Sequence, residues 1–450
     1  MMKIFKLTWL VGLMGIVLGQ EKPTQFSLNE SIEYTLTHNY DMLMADNEIL
    51  KAEKKIWETT ASGLPQINAN VDYTYNIQKG TMFLDPSAFD PNVPKGTPLT
   101  PIEIGQRQTL SANAQLSQLI FSGSYLVGLQ SAKAFKQISL MSKEKATSEL
   151  TKAVINAYAA VVIADQNIAI LEQNLKTAEK NLHDITEIYK VGLGDEQSVD
   201  QMSYNLLSLK SGRDFALRQR QNALNTLKYI MGLKQSDDLV LTTEMDGIVE
   251  EDLLKLEEVG TPVDKIKNHI DYKIAAHQVK INDLQVKYQK TMALPTLTTF
   301  LQHSQNWSTD NDPVFDDLGN HFPATIWGVS LKIPIFSSLQ RSAVTQQAQL
   351  DLANAEIERE KTEQRLVQEV KNNYLQYENA LDRYYTNKER VKLTRKIFEK
   401  EQIKYFEGLS SSMDLSNTEV QMYQAENELI SSAMDLISAK AAFHQSIGTY

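Results

Sequence analysis

Residues 66–77 read Gln66-Ile67-Asn68-Ala69-Asn70-Val71-Asp72-Tyr73-Thr74-Tyr75-Asn76-Ile77. Ile67, Ala69, Val71, Tyr73, Tyr75 and Ile77 are apolar or aromatic, and a polar residue stands between each pair. A period of two puts the two sets on opposite faces of an extended strand. About eleven residues is also the length a tilted barrel strand needs to cross a bilayer. Tyr73 and Tyr75 fall where an aromatic girdle would meet the lipid headgroups. A half-buried strand of a soluble sheet has the same pattern, so the surroundings must decide.

Before the strand, Phe26-Ser27-Leu28-Asn29-Glu30 opens a helix. Ser27 followed by Glu30 is a capping-box pattern, in which each side chain satisfies the other's free backbone N–H. Ile32, Leu36, Leu43, Leu50 and Trp57 continue an apolar face until Gly63-Leu64-Pro65 stops it. After the strand, Pro86, Pro91, Pro94, Pro98 and Pro101 mark residues 78–106 as a loop. Alternation then resumes at Leu110, Ala112, Ala114 and Leu116, a second strand over about 107–119. Phe121-Ser122-Gly123 ends it.

A long helix follows, over about 122–191. Val161, Ile168, Leu175, Leu182 and Tyr189 stand seven apart in it, as do Tyr377, Tyr384, Val391, Phe398 and Tyr405 later in the chain. An apolar residue at every seventh position is a coiled-coil seam. No proline occurs in 102–261 or 335–450, so nothing forces a break. Seventy helical residues extend about 100 Å at 1.5 Å each, too long for an ordinary globular domain. Each stripe ends at a glycine turn, Val191-Gly192-Leu193 and Glu407-Gly408-Leu409, and the two turns lie 216 residues apart.

The chain is therefore built twice. Leu294-Pro295 echoes Leu64-Pro65, and Phe336 echoes Phe121. The reading gives a leader at 1–19, a first repeat at 20–233, a connector at 234–262 with a short strand at 239–241, and a second repeat at 263–450. Within the repeats, the return helix of the first covers about 195–232. The second has strands at about 296–304 and 324–335 and helices at about 337–407 and 412–447. The leader has Lys3 and Lys6 before an apolar run at 7–18 and a small residue, Gly19, the signature of a secretory signal. No later apolar run is read as long enough for a membrane helix. The chain has no cysteine and a net charge of −11. An exported chain of this kind has no disulfide and no lipidated cysteine, and its charge disfavours nucleic acid.

Four strands cannot close a barrel, and hydrocarbon tolerates no open sheet edge. Several copies must pool their strands, and their long helices must pool into a tube below. At this point the chain resembles the TolC family of outer-membrane efflux proteins. The resemblance rests on Phe26-Ser27-Leu28-Asn29-Glu30-Ser31-Ile32 with Leu36 and Asn39, on Leu64-Pro65-Gln66, on Phe121-Ser122-Gly123 and on the two Tyr-x-x-Gly-Leu turns. It implies a mainly α fold of two repeats and a homotrimer with a shared twelve-stranded outer-membrane β-barrel. It further implies a periplasmic α-helical barrel and an equatorial belt at the connector. The implied partners are a periplasmic adaptor (membrane-fusion) protein, an inner-membrane pump of RND, ABC or MFS type, and outer-membrane lipid. The function implied is a passive exit duct in efflux or secretion.

The resemblance also places a gate at the second-repeat turn, with Asp414, Asn417 and Tyr405 as its residues. Asn417 lacks the charge other members carry there, and Ser410 stands where some place a locking arginine. Val191, Gly192, Leu193, Gly408 and Leu409 are the implied adaptor-docking turns. From the residues alone, Asp414 equally suits the first turn of a helix, and each glycine a helix C-terminal cap. Lys388, Arg395 and Gln402 read as a solvated or lumen-facing row. His38, His183, His269, His277, His303, His321 and His444 show no metal-ligand spacing, and no nucleotide or hydrolase motif occurs. The reading therefore expects no enzyme, metal or cofactor. The alternative is an exported coiled-coil tether without a pore, which would have no need of four alternating strands.

Overall fold

The computed structural model describes residues 25–90, 92–250, 266–310, 314–315 and 321–449. The leader at 1–19 and residues 251–262 of the connector lie outside them. In order, the elements are β1 (Gln25–Phe26), α1 (Leu28–His38), α2 (Tyr40–Ala61), β2 (Gln66–Tyr75), β3 (Gly80–Leu84), β4 (Thr100–Ile104) and β5 (Gln108–Phe121). Then come α3 (Gly123–Lys190), α4 (Glu196–Met231), β6 (Val240–Leu241), α5 (Met245–Glu250), α6 (Ile270–Thr291), β7 (Thr296–Thr309) and β8 (Phe322–Lys332). The chain ends with α7 (Gln340–Phe406) and α8 (Ser412–Ser446).

The chain divides into two compact units. One comprises Met1–Leu43, Ala146–Ile266 and Leu366–Tyr450; the other Met44–Lys145 and Lys267–Arg365. Both draw on both repeats.

The second unit carries an antiparallel four-stranded sheet in the order β2-β5-β7-β8. Paired residues share a face, so register decides what each face presents. One row runs Ile67, Leu116, Leu301, Trp327 across the four strands; a row on the other face, three residues along, runs Asn70, Asn113, Ser304, Ala324. Ile67 is 73 % exposed and Trp327 70 %, so no core of this chain covers the apolar row. Ile120 is the extra residue of a bulge between Leu119 and Phe121, where β5 meets Gly123 and α3 begins.

The structure corrects several expectations. The first helix is two, because Asn39 breaks it. Its Oδ1 accepts from the N–H groups of Asp41 and Met42 at 2.7 and 3.3 Å, capping α2. The expected loop at 78–106 holds the hairpin β3–β4, with Phe83 opposite Pro101. Proline is tolerated there because a two-stranded ribbon is all edge. The strand expected to end near 304 runs on to Thr309, since its polar residues pair with β5 through the backbone. The connector contains α5 as well as the strand, which pairs in parallel with β1. Finally, α3 does carry a stretch long and apolar enough to cross a membrane. That stretch is 44 % buried inside the protein, and α3 also carries Val154, Tyr158 and Val161, which are completely enclosed.

Those residues belong to the core of the first unit. There α3, α4, α7 and α8 bury Tyr158, Val161, Leu227, Met231, Tyr377, Tyr384, Leu436, Ile437 and Phe443. The Tyr377 ring stacks on Phe443 at 5.9 Å between centroids. Tyr158 binds this core to the chain's start: its hydroxyl donates to the Phe26 carbonyl at 3.0 Å and accepts from the Thr243 N–H at 3.0 Å. The heptad stripes form the inner seam, buried at Val161, Ile168, Leu175, Tyr377, Tyr384 and Phe398. The first surfaces at Tyr189, beside its glycine turn.

Candidate functional site

Both long helices end in the same motif. Gly192 and Gly408 take left-handed conformations, with φ of 79° and 76°. The next N–H reaches back to the helix, from Leu193 to Ile188 O at 3.1 Å and from Leu409 to Lys404 O at 2.8 Å. These are Schellman caps, which satisfy carbonyls the helix leaves free. A Cβ at either glycine would meet nothing within 4 Å, so glycine is required there for its backbone freedom alone. Around the caps, Leu193 is 82 % exposed and Leu409 73 %, with Val191 and Met413 also exposed. Such apolar side chains at a helix end offer a contact surface.

The helices that return from the turns are capped by mirrored residues. Asp195 caps α4: its carboxylate accepts from the Ser198 N–H at 2.8 Å and the Ser198 hydroxyl at 2.7 Å. Ser411 caps α8: its Oγ accepts from the Asp414 N–H at 3.2 Å, while its hydroxyl donates to the Asp414 carboxylate at 2.6 Å. The repeats thus use the same pair with acid and hydroxyl exchanged. The Ser198 hydroxyl holds the Asp195 carboxyl below the usual range.

The residues singled out for the gate divide. Asp414 and Asn417 are exposed on the first turns of α8. Tyr405 instead packs against the cluster of Ile185, Met202, Phe398, Leu415 and Met422, and burial raises its phenol's pKa. The Ser410 hydroxyl donates to the Glu401 carboxylate, tying the turn back to α7. That bond, followed by the one from Lys404, keeps Glu401 below the usual range, while nearby Asp414 opposes it.

Behind the turns runs a buried polar seam that the sequence reading missed. Ser198 and Ser412 hydroxyls lie 2.8 Å apart. Asn205 Nδ2 donates to Ser416 Oγ at 3.0 Å and to Glu419 Oε2 at 2.9 Å. Farther along, Glu426 accepts from Asn174 at 2.7 Å and from Arg395 at 2.6 Å. Gln402 donates to buried Asn181 at 2.7 Å. Arg395 is exposed as expected and Gln402 half-buried, but each also reaches a buried partner on another helix. The signal was present: Glu419 and Glu426 stand a heptad apart, in phase with buried Ala433, where a seam expects apolar residues. Among the described residues no cluster of histidines and acids could hold a metal ion.

An uncovered apolar row on a four-stranded sheet, joined to helices of 68 and 67 residues that end in glycine turns, fits an outer-membrane channel protein with long helices. The chain belongs to the outer membrane efflux protein family, whose model matches residues 32–233 and 262–449. It is an efflux channel of the TolC class, set in the outer membrane and reaching into the periplasm. Channels of this family act in tripartite efflux systems and are not enzymes. The tether alternative therefore falls.

The fold is similar to that of the CmeC outer membrane channel of Campylobacter jejuni, at 16 % identity over 99 % of this chain and 93 % of that one, TM-score 0.73. It is similar to the open state of the MtrE outer membrane channel of Neisseria gonorrhoeae, at 18 % identity over 94 % and 88 %, TM-score 0.72. The outer membrane protein VceC of Vibrio cholerae is similar at 15 % identity over 94 % and 96 %, TM-score 0.70. No curated protein matches the sequence.

Proposed function

We propose that three copies pool their strands into one twelve-stranded barrel and their long helices into a tube. This trimer is the exit duct for a periplasmic adaptor and an inner-membrane pump of RND, ABC or MFS type. The observation that carries the reading is the sheet itself: four strands with two open edges, β2 and β8, and an exposed apolar row. Lipid cannot satisfy those edges, and a second and third copy can.

The turns at Val191, Gly192, Leu193, Gly408 and Leu409 dock the adaptor through their exposed apolar side chains. The α7–α8 turn forms the periplasmic mouth. Asp414 and Asn417 face the constriction, and Tyr405 supports the turn from behind. Because the Asp414 carboxylate is already engaged by Ser411, the ring of three is fixed in place and attracts cations. Asp414→Ala should lower cation preference, and block by multivalent cations, in planar-bilayer recordings of the trimer. Unchanged selectivity and block would remove Asp414 from the constriction.

A further inference from the structure

The seam between α4 and α8 holds a carboxyl group buried without a cation. Glu419 is fully enclosed. Its Oε2 accepts from Asn205 Nδ2 of α4 and its Oε1 from the Tyr423 hydroxyl of α8, each at 2.9 Å. The surrounding elements bring no positive charge to it. From α4 come Asn205 and the apolar Met202; from α8, Tyr423 and, one heptad along, Glu426. The α7 cation Arg395 is taken by Glu426, as is Asn174 of α3, while Asn181 of α3 takes Gln402. Among the described residues, no lysine, arginine or histidine pairs with Glu419.

A buried carboxylate with two donors and no counter-charge is costly, whereas the neutral acid is not. The acid form loses no contact, because the Tyr423 hydroxyl can rotate to accept the proton it otherwise faces. Once α8 leaves α4, water solvates the carboxylate. The rest of this part of the seam is mixed: Ser198 on Ser412 and Asn205 on Ser416 are exchangeable hydroxyl and amide contacts, while Met202, Leu415 and Met422 form an apolar cluster that resists separation, so the ionisation of Glu419 biases a balance that these contacts share. Farther along, Leu436, Ile437 and Phe443 are apolar and stay packed.

We infer that Glu419 is a proton-controlled fastener of the mouth: protonated, it keeps α8 on α4, and ionised, it favours their separation. The inference rests on the reading that the α7–α8 turn is the moving mouth of the channel. Burial holds Glu419 above the usual carboxylate range, against the opposing pull of Asn205 and Tyr423. The sign follows. The packed seam is fully stabilised below the ordinary glutamate pKa and loses that stabilisation as pH rises through the elevated value. Each unit between the packed and solvated pKa shifts the opening equilibrium about tenfold.

The chain has no cysteine, so cysteines at the exposed positions Gln197 and Met413 are its only sites for nitroxide labels. In the full-length trimer, the distance between labels within a subunit should be short and single at about pH 5. At about pH 8.5 it should gain a longer population. Glu419→Gln keeps the acceptor for Asn205 but cannot ionise, and should hold the short distance at both. Tyr423→Phe removes a donor to the ionised form and should move the transition to higher pH. A wild-type distance that ignores pH, or a Glu419→Gln protein that follows the wild type, overturns the fastener. Conductance of the same trimers separates the two readings. Distances that switch without conductance uphold the fastener and sink the mouth. Conductance that rises with pH alike in wild type and Glu419→Gln sinks the fastener and leaves the mouth standing.

Discussion

Three glycines share a left-handed backbone but not a reason for it. Gly192, Gly408 and Gly232 have φ of 79°, 76° and 75°. At the first two, an added Cβ meets open space; at Gly232 it would lie 2.4 Å from the His38 carbonyl oxygen. Alanine at Gly192 or Gly408 should therefore cost only the conformational penalty, about 1–2 kcal/mol. Gly232→Ala must in addition displace backbone and should cost more. Thermal melts of the detergent-solubilised protein, followed by circular dichroism, check the order; equal losses at all three would contradict it. The glycine turns were legible because Tyr-x-x-Gly-Leu occurs twice at one spacing. Gly232 gave a helix end but not its close neighbour, which belongs to a segment nearly two hundred residues away.

At the scale of elements, the sequence showed periods but not breaks. Apolar residues of α1 and α2 continue nearly in phase, so the pattern alone runs them together. What divides them is Asn39, whose side chain caps α2 and also donates to the Ile230 carbonyl at 2.8 Å. Asparagine favours such caps because it can replace the backbone as a partner. Asn39→Ala removes the cap and leaves the part-buried Ile230 carbonyl without that donor, which together should cost about 1–3 kcal/mol. The measurement is the shift in unfolding midpoint, with Asn39→Asp as a control that keeps the cap and loses the donor. A loss under about 0.5 kcal/mol for Asn39→Ala would show that water replaces both contacts. Ser27 and Glu30, by contrast, were legible as a capping box and form one: the Ser27 N–H donates to Glu30 at 2.8 Å. Local caps can be read from spacing. For the Glu419 seam, spacing marks the polar positions Glu419 and Glu426 but not their partners, because Asn205 is 214 residues from Glu419 and only the packed helices bring them together.

For the whole molecule, the question is how the sheet ends. Residues Asn70 and Ala324 lie in one row of the sheet, at its two edges, with Asn113 and Ser304 between them. Three strand spacings separate the edges by about 14 Å. A disulfide needs Cα atoms within about 7 Å, so cysteines on β2 and β8 of one copy cannot join each other. Any bond between them must link two copies. The absence of native cysteine removes competing partners. With cysteine at Ala324 and a second scanned over Asn68, Asn70, Asp72 and Thr74, one register should oxidise efficiently in membranes, since adjacent polar-face positions differ by two residues. The number of copies then follows from the product. A closed ring of three stops at a covalent trimer, and denaturing gels should show monomer, dimer and trimer with nothing larger. An open, head-to-tail arrangement would continue past three, because each added copy presents a fresh β8 edge. No cross-link at any register would mean that the edges are covered by something other than another copy, and the pooled barrel would have to be abandoned.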